Sequence, residues 1–152
     1  MPPKSIIFVC LGNICRSPLA EGIAKREVER RGLNVEIASA GTGDWHVGEP
    51  PCSHSITVAK TNGIDISMQR SIQVTKADLE RFDMVIGLDE SNLTNIQKIG
   101  VCNLSKLGSY GANDEDVPDP FFFSGYEGFD KVFTMIEGCV NTLFDECFEK
   151  EV

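Results

Sequence analysis

Cys10, Arg16 and Ser17 place a thiol nucleophile, a fixed cation and a hydroxyl on one short stretch of chain. The thiolate is the reactive form of cysteine, and a helix N-terminus beside an arginine favours it. Where a strand end runs directly into a helix N-terminus, backbone N–H groups converge on an anion. Arginine adds a planar fork that grips two oxygens of that anion. Together these parts suit phosphoryl transfer. A phosphoryl transition state spreads its charge over three equatorial oxygens, which the loop N–H groups of residues 11–16 and the Arg16 fork would hold. The thiolate of Cys10 would attack phosphorus in line, giving a phosphocysteine that water then hydrolyses. Ser17 is placed to donate its hydroxyl to the sulfur. Backbone and arginine supply the positive field, so this chemistry calls for no metal and no cofactor.

The spacing separates this loop from nucleotide-binding ones. G-x-x-x-x-G-K-[ST] is absent, G-x-G-x-x-G is absent, and the isolated Gly41-Thr42-Gly43 replaces neither. A cysteine and an arginine at this spacing arise by chance in about one in four chains of this composition. The pair also fits a core cysteine followed by a solvated arginine. Its value comes from the elements on either side.

Ile6–Leu11 is an apolar run without polar alternation, the pattern of a buried parallel strand. Gly12-Asn13 breaks it, and both residues tolerate positive φ. A helix follows, with Ser17 as N-cap, Pro18 at the first helical position, and Leu19, Ile23, Ala24 and Val28 on one stripe up to Gly32. Glu27, Glu29, Arg30 and Arg31 fall largely off that stripe. Val35–Ala40 reads as the second strand, and GTGDWHVGEPP as a loop. Helices are expected over Ser53–Asn62, Thr75–Phe82 (Thr75 and Asp78 as an acidic capping box) and from Asp89 to Ile99. Met84–Leu88 and Val101–Leu104 are the third and fourth strands. The last helix begins at Ser124, with Glu127 as capping-box partner. It carries the stripe Phe129, Val132, Phe133, Ile136, Val140, Leu143, Phe144, Cys147.

Alternating strands and helices imply a doubly wound, four-stranded parallel sheet with helices on both faces, a flavodoxin-like three-layer sandwich in one domain over residues 1–152. Ligands of such folds bind beyond the carboxyl ends of the strands. That rim would collect Cys10, Gly41–Trp45, Asp89 and the loop carrying Asp119.

A net charge of −9 and a pI near 4.7 argue against nucleic acid and acidic membranes as partners. No stretch of 18 apolar residues is present, so the expected setting is cytoplasmic. The six cysteines (Cys10, Cys15, Cys52, Cys102, Cys139, Cys147) read as thiols, with neither a disulfide framework nor zinc-ligand spacing. His46 and His54 are isolated and read as surface or capping residues.

The stretch CLGNICRSPLAE resembles the signature of low-molecular-weight protein tyrosine phosphatases. Ser39-Ala40-Gly41, Asp44-Trp45, Gly63-Ile64-Asp65, Asp89-Glu90-Ser91-Asn92 and Asp119-Pro120-Phe121 extend that resemblance over nearly the whole chain. It implies metal-independent hydrolysis of phosphotyrosine in proteins or of small aryl phosphates, acid phosphatase activity included, with inhibition by phosphate-like oxyanions and a monomeric state. It makes Cys10 the nucleophile and Leu11, Gly12, Asn13, Ile14, Cys15, Arg16 and Ser17 the phosphate loop. Asp119, between Pro118 and Pro120, becomes the general acid that protonates the leaving oxygen and then the base for water. Asp114, Glu115 and Asp116 compete for that role and read as a solvated charge run. Leu11, Trp45 and Phe121 would form apolar walls around an aromatic ring. Asn13 would hold the turn of the loop, and Asp89 is either a support to the site or a helix cap.

Three departures from the family pattern stand out. Gln69 and Ile72 occupy places where many members have His and Arg, which leaves the support of Asn13 open. Phe121-Phe122 replaces a tyrosine pair that is phosphorylated in vertebrate members. Ile14 stands where a phosphoarginine-specific branch has threonine, which favours phosphotyrosine. An arsenate reductase on the same fold would need two relay cysteines after the third strand, and residues 75–100 contain none. A module that only binds phosphotyrosine predicts a lost nucleophile or acid, yet Cys10, Arg16 and Asp119 are present. The loop also suggests a redox pair. Peroxide would oxidise a Cys10 thiolate to a sulfenic acid, and Cys15, five positions on, would capture it as a disulfide, the alternative being that Cys15 is a small apolar filler behind the loop; a second loop cysteine is typical of the family.

Overall fold

In the computed structural model, which describes residues 2–120 and 127–148, the first strand β1 (Ser5–Cys10) is buried along its whole length. It has parallel neighbours on both sides: β2 (Glu36–Gly41), with Cys10 opposite Gly41, and β3 (Met84–Gly87), with Val9 opposite Gly87. The short β4 (Leu104–Lys106) pairs with β3, giving the order β2-β1-β3-β4, all parallel. A strand buried on both faces can be apolar throughout, which is why β1 shows no alternation in sequence.

The two faces of β1 nonetheless enter different cores. Ile6 and Phe8 pack with Leu19 and Ile23 of α1 (Arg16–Arg31), Val58 of α2 (Ser53–Thr61) and the apolar stripe of α5 (Glu127–Cys147). Ile7 and Val9 pack with Leu79 of α3 (Lys76–Arg81) and Ile96 of α4 (Glu90–Ile99). On α5, every residue of the expected stripe from Phe129 to Phe144 is buried. Each such large side chain contributes about 1.5–3 kcal/mol by leaving water. This is the doubly wound arrangement that the alternation of elements implies. Among the described residues no helix is long and apolar enough to cross a membrane.

Four expectations are corrected. Helix α1 begins at Arg16, one residue before the expected cap, and Cys15 holds the N-cap position without a side-chain cap bond. Ser17 and Pro18 are therefore inside the first turn, where a missing proline N–H is harmless and the serine hydroxyl is free for other partners. Glu27 is buried, held by Arg26, Arg30 and Arg31 at 3.3–3.4 Å, so an acidic residue off the apolar stripe still faces inward. Strand β4 starts at Leu104, the last residue of the expected strand, and Val101 is 94% exposed. Asp116 is not simply solvated: it takes a hydrogen bond from the backbone N–H of Glu90 and pairs with Lys106 at 3.1 Å. The expected caps fare better. Thr75 and Asp78 form a reciprocal capping box on α3, and Asp89 and Asn92 form one on α4. Phe121, Phe122 and Ser124 lie outside the described residues.

Candidate active site

Strand β1 delivers Cys10, 3% exposed, to the start of the loop. Its Sγ lies 3.0 Å from Ser17 Oγ and receives the backbone N–H of Asn13 at 3.2 Å. The chain curls around the sulfur because Asn13 adopts a left-handed φ of 56°, which asparagine tolerates. The Asn13 amide then locks the curl. Its Nδ2 donates to Ser17 Oγ at 2.8 Å and Ser39 Oγ at 2.9 Å, and its Oδ1 accepts the N–H of Ile72 at 3.0 Å. Support for Asn13 thus comes from two hydroxyls and a backbone group. Ile72 needs no polar side chain to give it, while Gln69 donates elsewhere, to the Pro18 carbonyl.

The scaffold continues outward. Ser39 donates to the buried Glu21 at 2.6 Å, and Lys25 holds the same carboxylate at 2.7 Å. The Ser71 hydroxyl donates to the Gly12 carbonyl at 3.0 Å. Gly41, at the end of β2, lets the loop backbone pass close over it: a Cβ there would stand 2.8 Å from the Leu11 carbonyl oxygen. The Ser39-Ala40-Gly41 run is therefore a seat for the loop.

Arg16 is 6% exposed, and its Nη1 donates to Asp89 Oδ2 at 2.6 Å and to the Val117 carbonyl at 3.0 Å. Burial works against its charge, but the fields of Cys10, Asp89 and Asp119 and the bond to Asp89 outweigh it and push its pKa up. Arg16 is thus a cation at every working pH. Asp89 turns out to be both of the things expected of it. Its Oδ1 caps α4 through the Asn92 N–H at 2.8 Å while Oδ2 holds Arg16.

The loop after β4 is tied to the same point. Val117 gives its N–H to the Leu88 carbonyl and its own carbonyl to Arg16. Asp119 follows two residues later, half-buried, and its charge acts on both Arg16 and Cys15. Leu11 and Trp45 are exposed, 46% and 69%, and line a hollow of about 260 Å³ with Thr42, Gly43, Asn95 and Ile99. His46 belongs here too. It pairs with Glu49, and its ring lies close enough to Gly12 that a Cβ there would meet it at 3.0 Å.

The structure therefore brings Cys10, Arg16, Ser17, Asn13, Asp89 and the Asp119 loop to one rim, with Leu11 and Trp45 beside it. Phe121 lies outside the described residues. Ser71, Val117 and His46 carried no signal in the sequence, since a hydroxyl, a carbonyl and a loop imidazole acquire roles only through the fold. Cys15 presents its sulfur to Cys52, 2.9 Å away, whereas the Cys10 sulfur is held by the Ser17 hydroxyl and the Asn13 N–H. Among the described residues no cluster of three or more His, Cys, Asp or Glu is placed to hold a metal ion.

Residues 5–152 match the sequence model of the family described as low molecular weight phosphotyrosine protein phosphatase. A low molecular weight protein-tyrosine-phosphatase of Staphylococcus saprophyticus, PtpA, is 37% identical over 93% of this chain and 92% of its own. The Bacillus subtilis enzyme of that type, YfkJ, is 34% identical over 97% of this chain and 99% of its own. The crystal structure of a protein tyrosine phosphatase from Entamoeba histolytica, with Hepes in its active site, superposes with a TM-score of 0.87 at 29% identity, covering 93% of this chain and 95% of that one.

Proposed function

This chain belongs to the low molecular weight phosphotyrosine protein phosphatase family, and on that premise we propose that it hydrolyses phosphotyrosine and small aryl phosphates through a phosphocysteine formed on Cys10. The observation that carries this reading is the sulfur itself: a thiol at the mouth of an anion loop, held by the Ser17 hydroxyl and the Asn13 N–H, with Arg16 fixed alongside.

In the first step the substrate's phosphoryl oxygens occupy the loop formed by Leu11–Ser17 and the free edge of the Arg16 guanidinium. The Cys10 thiolate attacks phosphorus, and the leaving oxygen takes a proton from Asp119. In the second step Asp119 takes a proton from water, which attacks the phosphocysteine and restores the thiol site. Leu11 and Trp45 flank the aromatic ring of the substrate. Asp89 and the Val117 carbonyl aim Arg16 and remove the entropy of its long side chain before substrate arrives. Arg16 and the loop N–H groups supply the positive field, so the reading assigns no metal.

The test is turnover of phosphotyrosine, phosphoserine and phosphoarginine side by side, with a chelator present. Phosphotyrosine is expected to be the preferred substrate by at least about tenfold, a difference of about 1.4 kcal/mol in the barrier. Equal turnover of phosphoarginine, or a loss of activity with chelator, would overturn it. The double use of Asp89 gives a sharper expectation. Asn is as good an N-cap as Asp, so Asp89→Asn keeps the cap of α4, but it leaves the buried Arg16 charge without its carboxylate and should melt several degrees below the native protein. An amide has a single acceptor oxygen, so with that oxygen on the Asn92 N–H its NH2 group faces the Arg16 guanidinium, the bond to Arg16 is lost, and kcat should fall about tenfold or more. Asp89→Ala should lose both, with a further stability cost of about 1 kcal/mol from the missing cap. A full-speed Asp89→Asn variant would show that Arg16 needs no such partner.

A further inference from the structure

Two thiols meet behind the phosphate loop. Cys15 is the N-cap of α1 and Cys52 the N-cap of α2, and their sulfurs stand 2.9 Å apart. Backbone bonds fix the approach: the Cys52 N–H donates to the Ile14 carbonyl at 2.8 Å, and the Ser55 hydroxyl donates to the Cys15 carbonyl at 3.1 Å. The Cys52 thiol also reaches Ser55 Oγ at 3.2 Å. Cys15 is 8% exposed, while Cys52 is only half-buried, within reach of a small oxidant. The two lie 37 positions apart in sequence, so only the fold brings them together.

We propose that Cys15 and Cys52 form a redox-active dithiol, separate from the Cys10 nucleophile, which hydrogen peroxide closes to a disulfide. The Cys52 thiolate attacks one peroxide oxygen. The O–O bond breaks, hydroxide leaves and takes a proton to become water, and Cys52 is left as a sulfenic acid. The Cys15 sulfur then attacks the Cys52 sulfur. The S–O bond breaks, its oxygen departs as water with the Cys15 proton, and the S–S bond forms. Two thiols lose two electrons and one peroxide becomes two waters. The sulfurs must close from 2.9 Å to about 2.05 Å, a shift of less than 1 Å.

The order of events follows from the environment of each thiol. The bond from Cys15, opposed by burial and reinforced by Ser55 and the field of His54, holds Cys52 down to about 6. The same bond, together with burial and the charges of Cys52, Cys10 and Asp119, pushes Cys15 up. Both shifts point the same way and make Cys52 the more readily ionised of the two thiols. Closing this pair withdraws Cys15 from Cys10. It competes directly with the Cys10–Cys15 disulfide that the loop spacing suggests, and it leaves Cys10 outside any disulfide.

Thiol mapping tests this without relying on turnover, so its failure and the failure of the phosphatase reading are distinguishable. The full chain is treated with about one equivalent of hydrogen peroxide, quenched with catalase, alkylated with iodoacetamide and digested without reduction. The expected result is a cross-linked peptide joining Cys15 to Cys52 as the main disulfide, with Cys10 carrying the alkyl label. Cys52→Ala should keep the untreated activity and shift Cys15 to Cys10. A second measurement uses the reduced protein. Alkylation of Cys52 should be half-maximal near pH 6 and should move up by at least one unit in Cys15→Ala. Cys52 alkylated after peroxide, with Cys15 free or joined to Cys10, would overturn the proposal. So would a Cys52 labelling profile that Cys15→Ala leaves unmoved.

Discussion

Cys10→Ser is expected to lower turnover of an aryl phosphate by at least about 10⁴-fold while leaving the affinity for inorganic phosphate within a few-fold of native. The two properties separate because different atoms carry them. In the proposed reading the anion is held by loop N–H groups and Arg16, whose anchors at Asp89 and Val117 do not involve the sulfur. Attack on phosphorus needs an ionised nucleophile, and a serine hydroxyl in the same place has none. The exchange is also structurally mild, since Ser17 Oγ and the Asn13 N–H, which hold the sulfur at 3.0 and 3.2 Å, bond an oxygen equally well. Phosphate binding by calorimetry and aryl phosphate turnover are the two readouts. Substantial residual turnover would point to another nucleophile. If a chelator removed that residue, the nucleophile would be a metal-activated water.

The site was legible in the sequence where local chain geometry makes it. The apolar run Ile6–Val9 ending in Cys10, the turn at Gly12-Asn13 and the arginine at position 16 all act within one loop, and their spacing carries the design. What needs contacts between distant segments was legible only as far as residue types hinted. Asp89 read as a cap or a support because one carboxylate can do either, and only the fold shows its two oxygens doing both. Ser17 read as an N-cap because serine before proline usually is one. In the folded loop its hydroxyl is taken by Cys10 and Asn13, so the helix starts a residue earlier.

The same dependence on distant partners holds elsewhere in the fold. Strand β4 contains Lys106, a poor strand residue by type, and it is buried there because Glu90 and Asp116 neutralise it. The apolar Val101 attracted the strand assignment, yet no partner strand reaches it; pairing with β3 starts at Leu104. Glu27 is the parallel case on α1, an acid made tolerable inside by three arginines. For Lys106 and Glu27 the missing information was a charge partner supplied by the fold or by a neighbouring turn. Apolar patterning, a continuous run in β1 and a helical stripe in α1 and α5, needs no particular partner and is legible in the sequence.

Asp119→Ala is expected to slow hydrolysis of an alkyl-phenyl phosphate, whose leaving group needs a proton, by about 10²–10⁴-fold. A dinitrophenyl phosphate, whose leaving group departs unprotonated, should lose no more than about tenfold. The difference between substrates matters more than the size of either loss, because a merely structural role would slow both alike. The rival Asp116 is already committed, since its Oδ1 accepts the Glu90 N–H at 3.0 Å and pairs with Lys106 at 3.1 Å. Its replacement by Asn should lower stability and leave the leaving-group dependence unchanged. Asp119 differs because the chain just before it is pinned at both backbone groups of Val117, one to Leu88 and one to Arg16. Pro118 and Pro120 fix φ on either side, so the carboxyl is carried on a short, stiff arm whose root is Arg16, the residue proposed to grip the phosphoryl group. Movement of the arginine and of the acid are thus coupled through one hydrogen bond. If Asp119→Ala slowed both substrates equally, the proton would have to come from another group, and that arm would be a positioning device alone.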